Sequence, residues 1–384
     1  MNKVFYWSPH LSNVATIKNV INSAKSIKKF NKNVSNVSII DAIGEWRDYL
    51  NDLKFENIDL IELSNFNLKR YLPVNGFLKS RVVFFLIFLT KYFPLKKLLE
   101  KEKPDYLIIH LVTILPLILL LLYKSDTKFI LRISGLPKLT FFRKFFWKLI
   151  SKKIYLVTCP SKQTKFDLIK KKIFDEKKIK ILFDPIIEPN LMRQKLKETL
   201  DNEIYNEKNY FLNIGRLTNQ KNQKLLINAF AKIVPKKENL KLIIAGEGEE
   251  EENLIRQIKT LGLEKHIILS GYVKNIYPLI HKSLAIICTS LWEDPGAVMV
   301  ESAYLDKIVI SSNCPNGPEE FLENGKAGYL FKNNDEKDLI YKINNFFNDS
   351  DSNKKQKCLN AKKNSKNYTV FSHFKKINEL LHLD

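Results

Sequence analysis

The side chains best suited to gripping an anion stand on short loops in the second half of the chain. In "LNIGRLTNQKN" (Leu212 to Asn222) an apolar run ends at Gly215, which lets the chain turn closely, and Arg216 and Lys221 follow five positions apart. Two cations where a helix begins, beside its free N–H groups and positive dipole end, form a diphosphate clamp. In a lysine-rich chain the same pattern also arises as an ordinary solvated loop. The stretch "LWEDPGAVMVESA" sets Glu293 after the apolar run "LAIICTS" and Glu301 in the first two turns of the helix that begins near Pro295 and Gly296. The amides of Gly296, Ala297 and Val298 would lie at its N-terminus, a ready anion site. Carboxylates grip vicinal diols because each oxygen accepts hydrogen bonds, so one glutamate could hold a sugar and the other a ribose, with phosphates between. The plain alternative is a pair of glutamates offsetting a helix dipole and neighbouring lysines. "IIAGEGEEEENL" adds Gly246 and Gly248 after a strand; its four consecutive glutamates would repel phosphate, so it reads first as a turn with dipole-matched charges, and Gly246 as a second close approach. In "LSGYVKNIYPLI", Gly271 is followed by Tyr272 and Val273, which can offer a flat side chain and backbone groups to a nucleobase, or simply pack.

These loops need strands to precede them, and the rest of the chain supplies the pattern. Its 384 residues are 45% apolar and 27% charged, a globular composition long enough for two domains of roughly 150 to 200 residues. Short apolar runs ("KVFYW", "VSII", "NIDLIEL", "YLIIH", "KFILRIS", "YLVTC", "KIKILF") alternate with helical stretches, pass through a polar segment over 188–209, and restart with "YFLNIGRL", "LKLIIAGEG", "HIILSGYV", "LAIICTS", "KIVISSN" and "AGYLF". That alternation predicts an α/β chain of two Rossmann-like domains with parallel sheets: residues 1–188, residues 189–365, and a closing helix within 366–384. Ligands of such sheets bind outside the carboxyl ends of the strands. The run Tyr106 to Tyr123 is nearly long enough to span a bilayer, but Pro104 and Asp105 before "YLIIH" and Pro116 beyond it predict a buried strand followed by a helix.

Charge is uneven. The formal net charge is +22, and residues 1–200, with 37 basic against 17 acidic side chains, hold +20 of it. Abundant Lys, Asn and Ile can reflect codon usage alone, yet "FFRKFFWKLISKK" (Phe141 to Lys153) interleaves aromatic and basic residues at helical spacing, the composition of a helix lying on anionic lipid. An amphipathic helix with an aromatic core face and a solvated lysine face reads equally well. No nucleic-acid recognition motif is present, so nucleic acid is not expected as a partner. Cys159, Cys288, Cys314 and Cys358 lack paired spacing, which predicts reduced, buried thiols in a cytoplasmic protein without a disulfide frame or zinc site. The N-terminus lacks the pattern of a signal peptide.

The order of the loops, GRLTNQKN, AGEGEEEENL, SGYV, SLWEDPGAVMVESA and then "KIVISSNCPNGPEEFLENGKAGYLF", resembles the donor-binding domain of family 4 glycosyltransferases, the retaining GT-B enzymes, from about Phe211 to Phe331. The resemblance implies two Rossmann-like domains facing across a cleft, the first binding the acceptor and the second a nucleotide-sugar donor, UDP-linked. It implies no cofactor and no metal, and a C-terminal helix that crosses back to the first domain. By resemblance Arg216 and Lys221 bind the donor diphosphate, Glu293 the donor sugar and Glu301 the ribose, the amides of Gly296 to Val298 meet the phosphates, and His110, ending "YLIIH", sits near the donor sugar. The acceptor would be a saccharide or lipid-linked saccharide in cell-surface polysaccharide or lipopolysaccharide assembly, met at the inner face of the cytoplasmic membrane. Asp294 and Pro295 replace a common Gly-aromatic pair, and "SPHLSNVA" replaces the family's Gly-Gly loop after the first strand, so contacts there do not carry over. A nucleotide-sugar epimerase, a non-catalytic sugar-nucleotide binder and a membrane-surface scaffold are the rival readings.

Overall fold

The computed structural model describes residues 2–11, 15–64, 68–71, 77–135, 139–198, 203–294 and 296–383. The chain divides into two units, Met1–Ile186 with Val370–Asp384, and Ile187–Thr369.

In the first unit the described strands are β1 (Asn2–Trp7), β2 (Val34–Asp41), β3 (Asp59–Glu62), β4 (Tyr106–Ile109), β5 (Lys128–Arg132), β6 (Leu156–Cys159) and β7 (Ile179–Ile181). They form one parallel sheet in the order β3-β2-β1-β4-β5-β6-β7. Successive side chains of a strand face opposite sides, and both sides are buried here. Phe5, Trp7, Leu107, Ile109, Phe129 and Leu131 enter one core, and Val4, Tyr6, Tyr106, Ile108 and Ile130 the other. A strand covered on both faces reads as a continuous apolar run, which is why "YLII" and "LVTC" were legible as strands. The long apolar run does break as its prolines suggested, into β4 and the helix Ile114–Leu122. Between them Val112 holds a positive φ of 47°, with the Trp7 indole donating to its carbonyl at 3.1 Å. No helix among the described residues is long and apolar enough to cross a membrane.

The helix Val370–Leu381 packs into the second of these cores through Ile377, Leu380 and Leu381. A buried chain of hydrogen bonds fastens it. His373 Nδ1 lies 2.6 Å from the Phe183 carbonyl, so this nitrogen carries the proton and Nε2 accepts from Ser23 Oγ at 2.8 Å. Ser23 in turn accepts from the Tyr6 hydroxyl at 2.9 Å. Burial pushes the His373 pKa down to about 3, keeping the ring neutral.

In the second unit β8 (Tyr210–Ile214), β9 (Lys241–Ala245), β10 (Ile267–Leu269), β11 (Ile286–Cys288), β12 (Val309–Asn313) and β13 (Tyr329–Lys332) form a parallel sheet in the order β10-β9-β8-β11-β12-β13. Chain order reverses between β8 and β11, the switch point where the loops splay apart and leave room for a ligand. Two polar stretches are more regular than their composition suggests. Residues 188–209 carry the helix Pro189–Leu196, started by its proline and pinned by buried Met192. The tail carries the helix Asp351–Ser365, whose Ser350 side chain accepts from the Asn353 amide. Its buried residues are only Ala361 and Ser365, so no apolar stripe announces it.

Candidate functional site

The loop after β8 turns at Gly215, passes Arg216 and runs through a short 3-10 turn, Asn219–Lys221, into the helix Gln223–Ile233. The loop after β9 lies directly against it. Gly246 has φ of 150°, and a Cβ there would stand 2.0 Å from the Gly215 carbonyl oxygen, a contact that only glycine permits. Hydrogen bonds from Gly215 N to Ala245 O at 3.0 Å and from Leu217 N to Glu247 O at 2.8 Å seal the two loops together. The β10 loop joins them, with Gly246 N donating to Gly271 O at 2.8 Å and Tyr272 N to Glu247 Oε1 at 3.3 Å. The Tyr272 ring is exposed and Val273 half-buried.

The fourth loop follows β11. Thr289 Oγ1 donates to the Lys221 carbonyl at 2.8 Å, Leu291 N to the Gln220 carbonyl at 2.8 Å, and Gln220 Nε2 to Trp292 O at 2.9 Å. These bonds bring the side chains of Lys221 and Glu293 together as an ion pair through Lys221 Nζ and Glu293 Oε1. The same oxygen accepts from Ser290 Oγ at 2.8 Å. Both partners are mostly shielded, at 23% and 15% exposed, so the pair is stronger than an ordinary surface bridge. The backbone then turns at Gly296, whose φ is 99° and whose missing Cβ would lie 3.2 Å from Glu293 Oε2, and the helix Ala297–Tyr304 begins. Its first amides have no carbonyl of their own helix to meet. Pro295 lies outside the described residues.

Glu301 is in the second turn of that helix and 5% exposed. It accepts from the Tyr277 hydroxyl at 3.1 Å; burial, then the Glu301 charge, pushes the Tyr277 pKa up, so the phenol stays a donor. Arg216 is exposed in the mouth of the first loop, and Thr218 Oγ1 beside it is buried with no hydrogen-bond partner. The second unit thus gathers Gly215, Arg216, Lys221, Gly246, Tyr272, Val273, Glu293, Gly296, Ala297, Val298 and Glu301 on loops at one edge of its sheet. A chargeable clamp, helix amides and two anchored carboxylates suit a ligand with a diphosphate and hydroxyls. Sequence reasoning missed Ser290 and Tyr277, which orient the two carboxylates. Ser290 stood two residues beyond a strand, a readable position, whereas Tyr277 becomes relevant only through the fold.

Burial holds the nearby thiols in their protonated form. Burial raises Cys288 to about 12 and Cys314 to about 11, and no disulfide joins the described cysteines. His110 belongs to the first unit, at the carboxyl end of β4 beside the β1/β4 switch point. Burial, with Arg132 and His373 adding to it, drives its pKa well below the usual value, and its Nδ1 is buried without a partner. The same edge holds residues that the sequence did not single out. Glu45, fully buried, accepts from the amides of Ala42 and Ile43 at 3.1 and 2.7 Å, and burial with Asp41 beside it raises its pKa. Burial lowers His10 to about 4.

Two parallel sheets with this strand order and a ligand edge at the second switch point define a GT-B glycosyltransferase fold. The Anabaena HepE structure in complex with UDP superposes with a TM-score of 0.72 over 99% of both chains at 18% identity. Residues 194–367, most of the second unit, match the family model for glycosyl transferases group 1. Among curated relatives, an uncharacterized glycosyltransferase of Methanocaldococcus jannaschii is 32% identical over 252 residues, 61% of this chain and 62% of that one. A Campylobacter jejuni 4-alpha-N-acetylgalactosaminyltransferase, named for N-acetylgalactosamine-N,N'-diacetylbacillosaminyl-diphospho-undecaprenol, is 29% identical over 206 residues, 54% of each chain. The chain therefore spans between half and two thirds of the length of these two relatives.

Proposed function

We propose that the chain transfers a sugar from a nucleoside-diphosphate donor, UDP-linked, to a hydroxyl of a saccharide or lipid-linked saccharide, with retention of the anomeric configuration and without a metal. The product would enter cell-surface polysaccharide or glycolipid, lipopolysaccharide included. The observation that carries this reading is the Lys221–Glu293 pair set beside the first amides of the helix Ala297–Tyr304. The energetic task in breaking the donor's glycosidic bond is to stabilise charge on the departing diphosphate. Lys221, Arg216 and those amides offer preorganised positive potential, which is worth several kcal/mol in a water-poor site. Glu293, steered by Lys221 and Ser290, would accept from hydroxyls of the sugar, and Glu301, steered by Tyr277, from the ribose diol. The departing phosphate oxygen itself takes the acceptor's proton as the new bond forms, so the reaction calls for no separate base.

The relatives support the choice of substrates: one neighbouring structure holds UDP, and one relative is named for a lipid-diphosphate-linked acceptor. A lipid-linked acceptor would be met at the inner membrane face. The helix Phe141–Ile150 suits that contact, since only its Trp147 and Ile150 are buried while Phe141, Phe142 and Phe145 are exposed among basic residues.

A thermal-shift screen of nucleotide sugars identifies the donor, because a ligand bound to the folded form raises its stability with occupancy. Release of UDP and the product's anomeric configuration are then measured with matched acceptors. Lys221→Ala is expected to lower turnover by about a hundredfold or more. Wild-type-like rates in that variant would overturn the assignment.

A further inference from the structure

A groove of about 440 Å³ opens in the first unit at the carboxyl ends of β4 and β5. Its apolar walls are Phe84, Val112, Ile114, Ile133 and Trp147, and its polar lining includes His110 in the floor and exposed Arg143. These residues come from three helices, the positions just after β4 and β5, and the turn at Val112, the β-branched residue held at positive φ. Such a conformation is costly for a β-branched side chain, and it occurs where the groove wall needs it.

The helices that wall the groove also carry an unpartnered apolar surface. The helix Phe77–Glu102 exposes Val82, Phe85, Leu86, Leu89 and Phe93, spacings of three, one, three and four that make one stripe. The helix Phe141–Ile150 exposes Phe142, at 81%, with Phe145 and Leu149 on the face away from buried Trp147. Lys144 and Lys148 flank that stripe. Exposed apolar stripes with basic neighbours seat a helix in an anionic lipid interface, so a molecule entering the groove would come from that interface. Its volume is that of a small-molecule site, too small for a partner helix. We propose that it takes one lipid phosphate: the chain against Phe84, Ile114 and Trp147, the phosphate or diphosphate at Arg143, and a hydroxyl or phosphate oxygen at the unpartnered His110 Nδ1. The inference rests on the proposed membrane-held acceptor and names where its lipid end binds.

Calorimetric titration of the full chain tests it with two soluble probes below their micelle concentrations, farnesyl diphosphate for isoprenoid lipids and dodecyl phosphate for alkyl ones. Inorganic diphosphate and farnesol serve as controls. The expected result is saturable binding of at least one lipid phosphate, weakened at least about tenfold by Ile114→Asp and by Arg143→Glu, and kept by Ile114→Leu, with UDP affinity unchanged in all three. Absence of saturable binding, equal affinity for inorganic diphosphate, or wild-type affinity in both Ile114→Asp and Arg143→Glu would overturn it. If the wild type then still sediments with anionic vesicles and releases UDP, only the groove falls and the surface and transfer readings stand.

Discussion

At Lys221 and Glu293, charge and geometry work together. In the free protein each neutralises the other, so neither stands as an uncompensated half-buried charge. In the proposed site a diphosphate would offer Lys221 a doubly charged alternative and would release Glu293 toward hydroxyls. Tyr277→Phe should weaken UDP binding about tenfold or more, the worth of roughly 1.5 kcal/mol for one hydrogen bond to a charged group, as titration calorimetry would show. Gly296→Ala should cost about 1–3 kcal/mol in urea unfolding, since it forces a side chain into a positive-φ turn against Glu293. A variant as stable and active as the wild type would remove the turn from the account.

Among the elements, the helix Val370–Leu381 is tied to the first sheet through His373. Its folded pKa, about 3, lies below the unfolded value near 6.5. Between those values the unfolded chain binds a proton that the folded chain refuses. This contribution is thus complete above pH 6.5 and is lost on acidification, at up to about 1.4 kcal/mol per pH unit. Melting temperature should fall below pH 6.5, and less steeply in His373→Gln, whose amide can serve both hydrogen-bond partners. Identical slopes would exclude His373 as the sensor. The strands were legible because both faces of a parallel sheet are buried, leaving runs such as "LIIA" and "YLII" without charged interruption. The loop chemistry was legible because glycines and charges follow those runs. The helices Pro189–Leu196 and Asp351–Ser365 were not, because they bury little apolar surface and owe their start to a proline and a serine cap. The partners of Glu293 and Glu301 were hidden for a different reason: Lys221 and Tyr277 lie 72 and 24 positions away, and only strand order joins them.

On the scale of the whole molecule, nearly all the positive charge of residues 1–200 and the exposed aromatic stripes belong to one unit, and the candidate anion-binding loops to the other. Sedimentation with vesicles containing anionic lipid should exceed that with neutral vesicles and should fall at high salt. The double variant Phe142→Asp, Phe145→Asp should abolish it while leaving UDP binding intact. No dependence on anionic lipid would return those lysines to ordinary solvated surface. In the second unit, the loops after β8 and β11 are proposed to form a nucleoside-diphosphate site. Calorimetric titration of UDP into the wild type and into Lys221→Ala tests it most directly. One saturable site is expected in the wild type and at least tenfold weaker binding in the variant, roughly 1.4 kcal/mol, with the fold intact by circular dichroism. Absent binding in the wild type, or equal affinity in the two proteins, would contradict it.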